Sequence, residues 1–130
     1  MMRGGAVLLA GGRSARMGGV DKTLAPLAGL PVAAHALRAF AACPDIGAIV
    51  LVCGEGNHTP LEDLAAEHGA GKVTALVLGG PRRRDSVAAG FSALPPLDLV
   101  AVHDVARPLV TPAMIARGLE LAAKHGAAVI

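Results

Sequence analysis

AVLLAGGRSARMGGVDK, residues Ala6 to Lys22, changes character midway. Ala6, Val7, Leu8 and Leu9 form an apolar run that meets Ala10-Gly11-Gly12, and the segment then turns basic at Arg13, Arg16 and Lys22. A near-continuous apolar run suits a strand covered on both faces of a parallel sheet. Glycines directly after it let backbone N–H groups come close to a ligand. Arginine and lysine beside such bare donors point to a polyphosphate. An ordinary strand-to-helix turn with a solvated basic flank is the plainer alternative.

Two familiar glycine loops are excluded. A dinucleotide fingerprint needs G-x-G-x-x-G, whereas Gly11 and Gly12 are adjacent and the next glycine is Gly18. A Walker loop ends in G-K-[ST], whereas Lys22-Thr23 follows Asp21.

Working outward, 130 residues fit one domain, taken as 1–130. Hydrophobic residues make up 53% of the chain and aromatics only 2%, so the core is built from Ala, Val and Leu, which favours close helix-on-sheet packing. With no Trp or Tyr there is no stacking platform for single-stranded nucleic acid, and a net charge of +2 is no nucleic-acid footprint. Cys43 and Cys53 are too few and too far apart for a zinc knuckle and read as buried, reduced packing residues. The amino terminus lacks the pattern of a secretory signal and no apolar run approaches membrane-spanning length, so the expectation is a soluble, cytoplasmic protein with no membrane partner.

Strand and helix signals alternate. Pro31 opens a helix whose Val32, Ala36, Ala39 and Phe40 form a stripe and which Pro44 stops. Ile46 to Cys53 is a second buried strand, closed by Gly54 and Gly56. Thr59-Pro60 reads as a cap and first-turn proline, opening a short helix that Gly69 ends. Val73 to Leu78, the third strand, runs into Gly79-Gly80-Pro81-Arg82-Arg83-Arg84-Asp85-Ser86, a second glycine-then-basic turn. The next helix places Val87, Phe91 and Leu94 on one face. Leu97 to Val102 is a fourth strand ending in His103-Asp104, Thr111-Pro112 caps a helix reaching His125-Gly126, and Ala127 to Ile130 begins a fifth strand. This pattern predicts an α/β fold: three layers around a mostly parallel sheet, with the chain stopping in that fifth strand.

In such sheets ligands lie beyond the carboxyl ends of the strands, where the clusters after strands one, three and four all fall. Asp104 is placed to meet a magnesium ion, directly or through water; a carboxylate that merely pairs with Arg107 is the alternative. Ser86 either hydrogen-bonds a ligand or caps the helix beginning there, and spacing favours the cap. At least two of Arg82, Arg83 and Arg84 belong to a solvated face. His103 receives no role. With no Ser-His-Asp set, no paired catalytic carboxylates and no reactive cysteine, the inventory is positive charge, backbone donors and a metal-capable carboxylate. That suits phosphoryl or nucleotidyl transfer.

These residues resemble the sugar-nucleotidyltransferase-like enzymes, with LAGGRSARMG and Lys22 similar to their nucleotide-binding loop. GGPRRRDSV at Gly79 to Val87 and VHDVARP at Val102 to Pro108 narrow the resemblance to the 2-C-methyl-D-erythritol 4-phosphate cytidylyltransferases of non-mevalonate isoprenoid synthesis, over essentially the whole chain. The resemblance implies a Rossmann-like nucleotidyltransferase topology and a reaction in which methylerythritol phosphate attacks the α-phosphorus of CTP, with Mg2+ bound and pyrophosphate leaving. It implies that Arg16 and Lys22 stabilise the transition state, that the Ala10, Gly11 and Gly12 backbone with Gly79, Gly80 and Ser86 holds the cytidine, and that Asp104 lies at ribose and metal. Arg83 takes the arginine position of G-G-x-x-R-x-x-S-V. It further implies a homodimer for a complete member, with second-substrate residues and the dimerisation arm beyond Ile130, so that this chain alone binds nucleotide weakly and does not complete the transfer. Leu9-Ala10-Gly11-Gly12 stands where that family usually has Pro-Ala-Ala-Gly, and Val105 replaces its usual alanine. LAGGRSARMGGVDK also resembles the molybdenum cofactor guanylyltransferases, which makes a GTP-using enzyme one alternative and a nucleotide-binding domain without turnover the other.

Overall fold

The computed structural model describes residues 3–11, 16–17 and 20–129, with only the backbone course of 16, 17 and 20. Its elements are β1 (Gly4–Ala10), β2 (Arg16–Met17), β3 (Val20–Asp21), β4 (Pro26–Leu27), β5 (Leu30–Pro31), α1 (Val32–Ala42), β6 (Ile46–Cys53), α2 (His58–His68), β7 (Val73–Leu78), α3 (Arg83–Ala93), β8 (Leu99–Asp104) and α4 (Pro112–His125). Four strands form a parallel sheet in the order β7-β6-β1-β8. After β1 the chain steps outward to β6 and β7, then returns to the other side of β1 as β8. The order therefore reverses between β1 and β8, which is where open α/β sheets bind ligands.

β1 is buried along its whole length because it has a neighbour on each side and a helical layer on each face. Ala6, Leu8 and Ala10 pack with α1, α2 and α4, while Val7 and Leu9 turn to the layer that holds α3. The expected small-residue packing is present in α1, whose buried side chains are five alanines with Leu37 and Phe40. Alanine leaves the helix backbone close to the sheet and costs no side-chain entropy on burial.

The pieces around Ala28-Gly29 form a small antiparallel hairpin, β4 with β5, with both turn residues at positive φ. Five sequence expectations shift, the last of them at the fourth strand. α2 starts at His58, so Thr59 is not its cap; the residue before the helix is Asn57, whose side chain is engaged elsewhere. α3 starts at Arg83 and so overruns Ser86: Asp85 accepts the backbone N–H of Arg82, and Ser86 lies inside the first turn rather than at a cap. Phe91 does not join the core face, being 58% exposed, because α3 makes its closest approach at Gly90, where a Cβ would lie 2.4 Å from Val7. Residues 127–129 form no strand: the chain leaves α4 through Gly126 in the left-handed region and stays exposed without a ladder partner among the described residues.

The fourth strand is β8, two residues later than the spacing suggested. Arg3 fixes this start, its backbone carbonyl accepting the amides of Asp98 and Leu99 while its own amide donates to the Asp98 carboxylate. The shift makes Asp104 the last residue of the strand, opposite Leu9 of β1.

Candidate functional site

β1 delivers Ala10 and Gly11 to the carboxyl edge. Gly11 has no room for a side chain, since a Cβ would lie 2.8 Å from the Gly54 amide nitrogen and 3.0 Å from the Cys53 carbonyl. The glycine is thus required by the close approach of two backbones. Gly12 lies outside the described residues, and Arg16 is described only as a backbone position in β2, paired opposite Asp21.

Asp21, Lys22 and Thr23 return the chain to the edge. Asp21 Oδ1 accepts from the Thr23 amide at 2.9 Å and from the Thr23 hydroxyl at 2.6 Å, and Asp21 Oδ2 accepts from Asn57 Nδ2 at 2.9 Å. The same Asn57 nitrogen donates to the Ala10 carbonyl at 2.8 Å, and Asn57 Oδ1 accepts the Gly54 amide at 2.9 Å. Thr23 and Asn57 are the two fully buried polar residues among those described. Between them Lys22 is half-buried, and its side chain has no hydrogen bond or ion pair among the described residues.

The second turn hangs from β7. The Gly79 amide donates to the Cys53 carbonyl at 2.9 Å, so Cys53 lies under both turns. A Cβ on Gly79 would meet Ser86 Oγ at 2.6 Å, and one on Gly80 would meet Asp85 Cβ at 2.4 Å. The first turn of α3 therefore folds back onto these glycines and brings Ser86 against Gly79. Burial pushes the Cys53 thiol up to about 11, which leaves it protonated and unreactive near neutral pH.

Asp104 pairs with Arg83 rather than Arg107: Arg83 Nη2 stands 3.5 Å from Asp104 Oδ1, and Arg107 gives Asp104 only a backbone hydrogen bond. That contact joins α3 to β8 across the switch point. His103 is structural, its Nε2–H donating to the Arg107 carbonyl at 3.0 Å and its ring resting on Phe40. The structure thus joins Ala10, Gly11, Gly79, Gly80, Arg83, Ser86 and Asp104 along one edge, with Lys22 beside them. A separate cavity of about 720 Å³ lies between β8 and α4, with an apolar lining that includes Phe40, Val102, Leu109 and Met114.

Sequence reasoning missed Asn57, Asp21 and Thr23. Asn57 stands just before a helix and is masked by the commoner capping role of that residue type. No group of three or more His, Cys, Asp or Glu that could hold a metal ion occurs among the described residues. Magnesium is often held by one or two carboxylates together with substrate phosphates, so the single Asp104 fits an ion that arrives with a nucleotide.

Residues 5–130 match the family described as IspD: 2-C-methyl-D-erythritol 4-phosphate cytidylyltransferase. A protein of that name from Dehalococcoides mccartyi is 46% identical over 125 residues, which is 96% of this chain and 55% of the relative. One from Shouchella clausii is 40% identical over 125 residues, 95% of this chain and 55% of the relative. The chain spans about half the length of these curated relatives. Among solved structures, 4-diphosphocytidyl-2C-methyl-D-erythritol synthase from Anaerococcus prevotii superposes with a TM-score of 0.80 at 22% identity, over 95% of this chain and 52% of that one, which establishes a shared fold. Among the described residues no helix is long and apolar enough to cross a membrane.

Proposed function

This chain belongs to the 2-C-methyl-D-erythritol 4-phosphate cytidylyltransferase family, and from that membership we propose that it provides the nucleotide-binding part of a cytidylyl transfer. A phosphate oxygen of 2-C-methyl-D-erythritol 4-phosphate attacks the α-phosphorus of CTP. The new P–O bond forms as the bond to the bridging oxygen breaks, and pyrophosphate leaves with that electron pair. The observation that carries this reading is the single edge at the β1–β8 switch point, where two glycine turns, a Lys22 whose side chain has no partner among the described residues and the Asp104 carboxylate meet.

Each residue has a task in this reading. Lys22 and Arg16 offset charge that builds on the α-phosphate, the contribution that positively charged donors make where charge develops in the transition state. The backbone of Ala10, Gly11 and Gly12, with Gly79, Gly80, Arg83 and Ser86, holds the cytidine nucleotide. Asp104 takes the ribose side and holds Mg2+, which when bound would neutralise phosphate charge. Homodimerisation and a cytoplasmic location are parts of the same proposal; free, buried Cys43 and Cys53 suit a reducing compartment.

Titration calorimetry with CTP and GTP, each with magnesium, tests the base. Tighter CTP binding is expected; tighter GTP binding would transfer the assignment to a guanylyltransferase. Pyrophosphate release that depends on methylerythritol phosphate, assayed in a protein that also carries the second-substrate residues, tests turnover. CTP binding with no such release would leave a nucleotide-binding domain without catalysis.

A further inference from the structure

We infer that Asn57 and Asp21 act together as the positioning pair for Lys22, setting where its ammonium meets a polyphosphate; this rests on the nucleotide reading of the edge. The residues on both sides of Lys22 are fastened through their side chains, while the Lys22 side chain has no partner among the described residues. Thr23 is 1% exposed, its carbonyl accepts the Ala33 amide at 2.8 Å, and its amide and hydroxyl both go to Asp21. Asp21 in turn is held by Asn57, itself 3% exposed, which also grips Ala10 and Gly54. One buried amide thereby fixes Lys22 relative to the carboxyl ends of both β1 and β6.

A second consequence concerns charge. A carboxylate adjacent in sequence to a lysine is a natural partner for it, and an ion pair between them would neutralise the ammonium a phosphate needs. Here both Asp21 oxygens already accept hydrogen bonds, from Thr23 and from Asn57, and Lys22 makes no ion pair with Asp21 among the described residues. Removing Asn57 frees Oδ2, loosens the lysine's attachment and exposes a competing anion beside it. Lysine is especially sensitive to such a loss, because its charge sits on a flexible four-carbon stem with no geometry of its own.

Binding of inorganic tripolyphosphate to the chain, measured by calorimetry for wild type, Asn57→Ala, Lys22→Ala and the double variant, tests the pair. If Asn57 works through Lys22, Asn57→Ala weakens binding about tenfold and the double variant is no weaker than Lys22→Ala alone, as for residues coupled in one network. Losses that simply multiply would overturn the inference, and so would an Asn57→Ala protein that melts earlier but binds normally. A second comparison covers the case in which Asn57→Ala fails to fold. Asn57→Asp sets two carboxylates face to face, and adding Asp21→Asn restores a donor–acceptor pair at that contact. Recovery of tripolyphosphate binding in this swap relative to Asn57→Asp supports the inference; no recovery counts against it. Wild type that binds no tripolyphosphate defeats this inference and the nucleotide reading together, whereas tripolyphosphate binding without CTP preference leaves this inference standing and removes only the choice of cytidine.

Discussion

The two glycine turns look alike in sequence, each an apolar strand running into paired glycines and then arginines, yet they are built differently. The first leaves a central strand: its Gly11 is wedged against the backbone of Gly54 and Cys53, and Asn57 ties its ends from inside the core. The second leaves the edge strand β7, where Leu78 is 63% exposed, and its glycines are filled by the first turn of α3, the helix that immediately follows. Neither Gly11, Gly79 nor Gly80 has positive φ, so close approach rather than left-handed geometry explains all three. Ends anchored by distant residues hold Lys22 at a set place relative to β1 and β6; a turn anchored by its own helix presents a surface that can adjust. The first turn is therefore where loss of a charge should cost most, and the second where substitutions should be absorbed.

Cytidylyl transfer gives the largest contrast. In a protein that carries the complete active site, Lys22→Ala is expected to lower the rate about 10²–10³-fold, the usual consequence of losing one preorganised donor at developing charge. Arg82→Ala, in the exposed part of the second turn, should leave the rate near wild type, since its contact is a surface pair with Asp85. Equal losses in the two variants, read as pyrophosphate release, would erase the distinction between the turns.

Stability gives the next. In Gly11→Ala the new methyl meets backbone atoms that cannot rotate away, so a cost of roughly 1–3 kcal/mol is expected from overpacking. In Gly79→Ala the nearest obstacle is Ser86 Oγ, the end of a side chain that can change rotamer, at roughly 0.5–1.5 kcal/mol. Thermal melts should rank the two in that order, and Ser86→Ala should recover part of the Gly79→Ala loss while doing nothing for Gly11→Ala. A Gly79→Ala protein less stable than Gly11→Ala would reverse the account of which glycine is enclosed by the less yielding neighbours.

Cys53, beneath both turns, sharpens the comparison through pH. Its thiol titrates near 9.0 when solvated and at about 11 when folded, because burial disfavours the thiolate. The unfolded chain therefore gives up its proton first, and this contribution to stability is intact below about pH 9 and lost as pH rises toward 11. Each unit inside that window is worth about 1.4 kcal/mol, so roughly 1 kcal/mol is lost by pH 10. Melts of wild type should fall more steeply from pH 9 to 10 than melts of Cys53→Ala; parallel curves would mean that the thiol is solvated and the floor of the turns is open.

What the sequence could convey follows the same division. The apolar runs that became β1 and β6 were legible because strands buried on two faces leave an uninterrupted signature; β7, an edge strand with no fully buried residue, kept a mostly apolar run, and the motifs at the strand ends mark the edge directly. Phe91 was misplaced because helical spacing cannot tell that a neighbouring glycine, Gly90, will take the point of closest contact. Asn57 was invisible because its partners Ala10 and Asp21 are remote in sequence, and no local pattern distinguishes an asparagine that caps a helix from one that reaches across the fold. Local chemistry was readable; the tie between the two ends of the first turn was not.

The smallest expected effect on stability lies where the second turn meets β8. Arg83 and Asp104 stand 3.5 Å apart with side chains 63% and 38% exposed. Exposed pairs of this kind contribute about 0–1 kcal/mol, because water screens the attraction and two long side chains lose freedom to hold it. Asp104→Asn should therefore melt close to wild type, with any difference shrinking further in high salt. Its binding phenotype should be larger: an amide oxygen is a poorer magnesium ligand than a carboxylate, so CTP affinity should lose most of its dependence on magnesium while the metal-free affinity changes little. The two measurements separate the roles. A drop of several degrees with magnesium dependence intact would make Asp104 part of the scaffold, and the second turn would then be held across the sheet as firmly as the first.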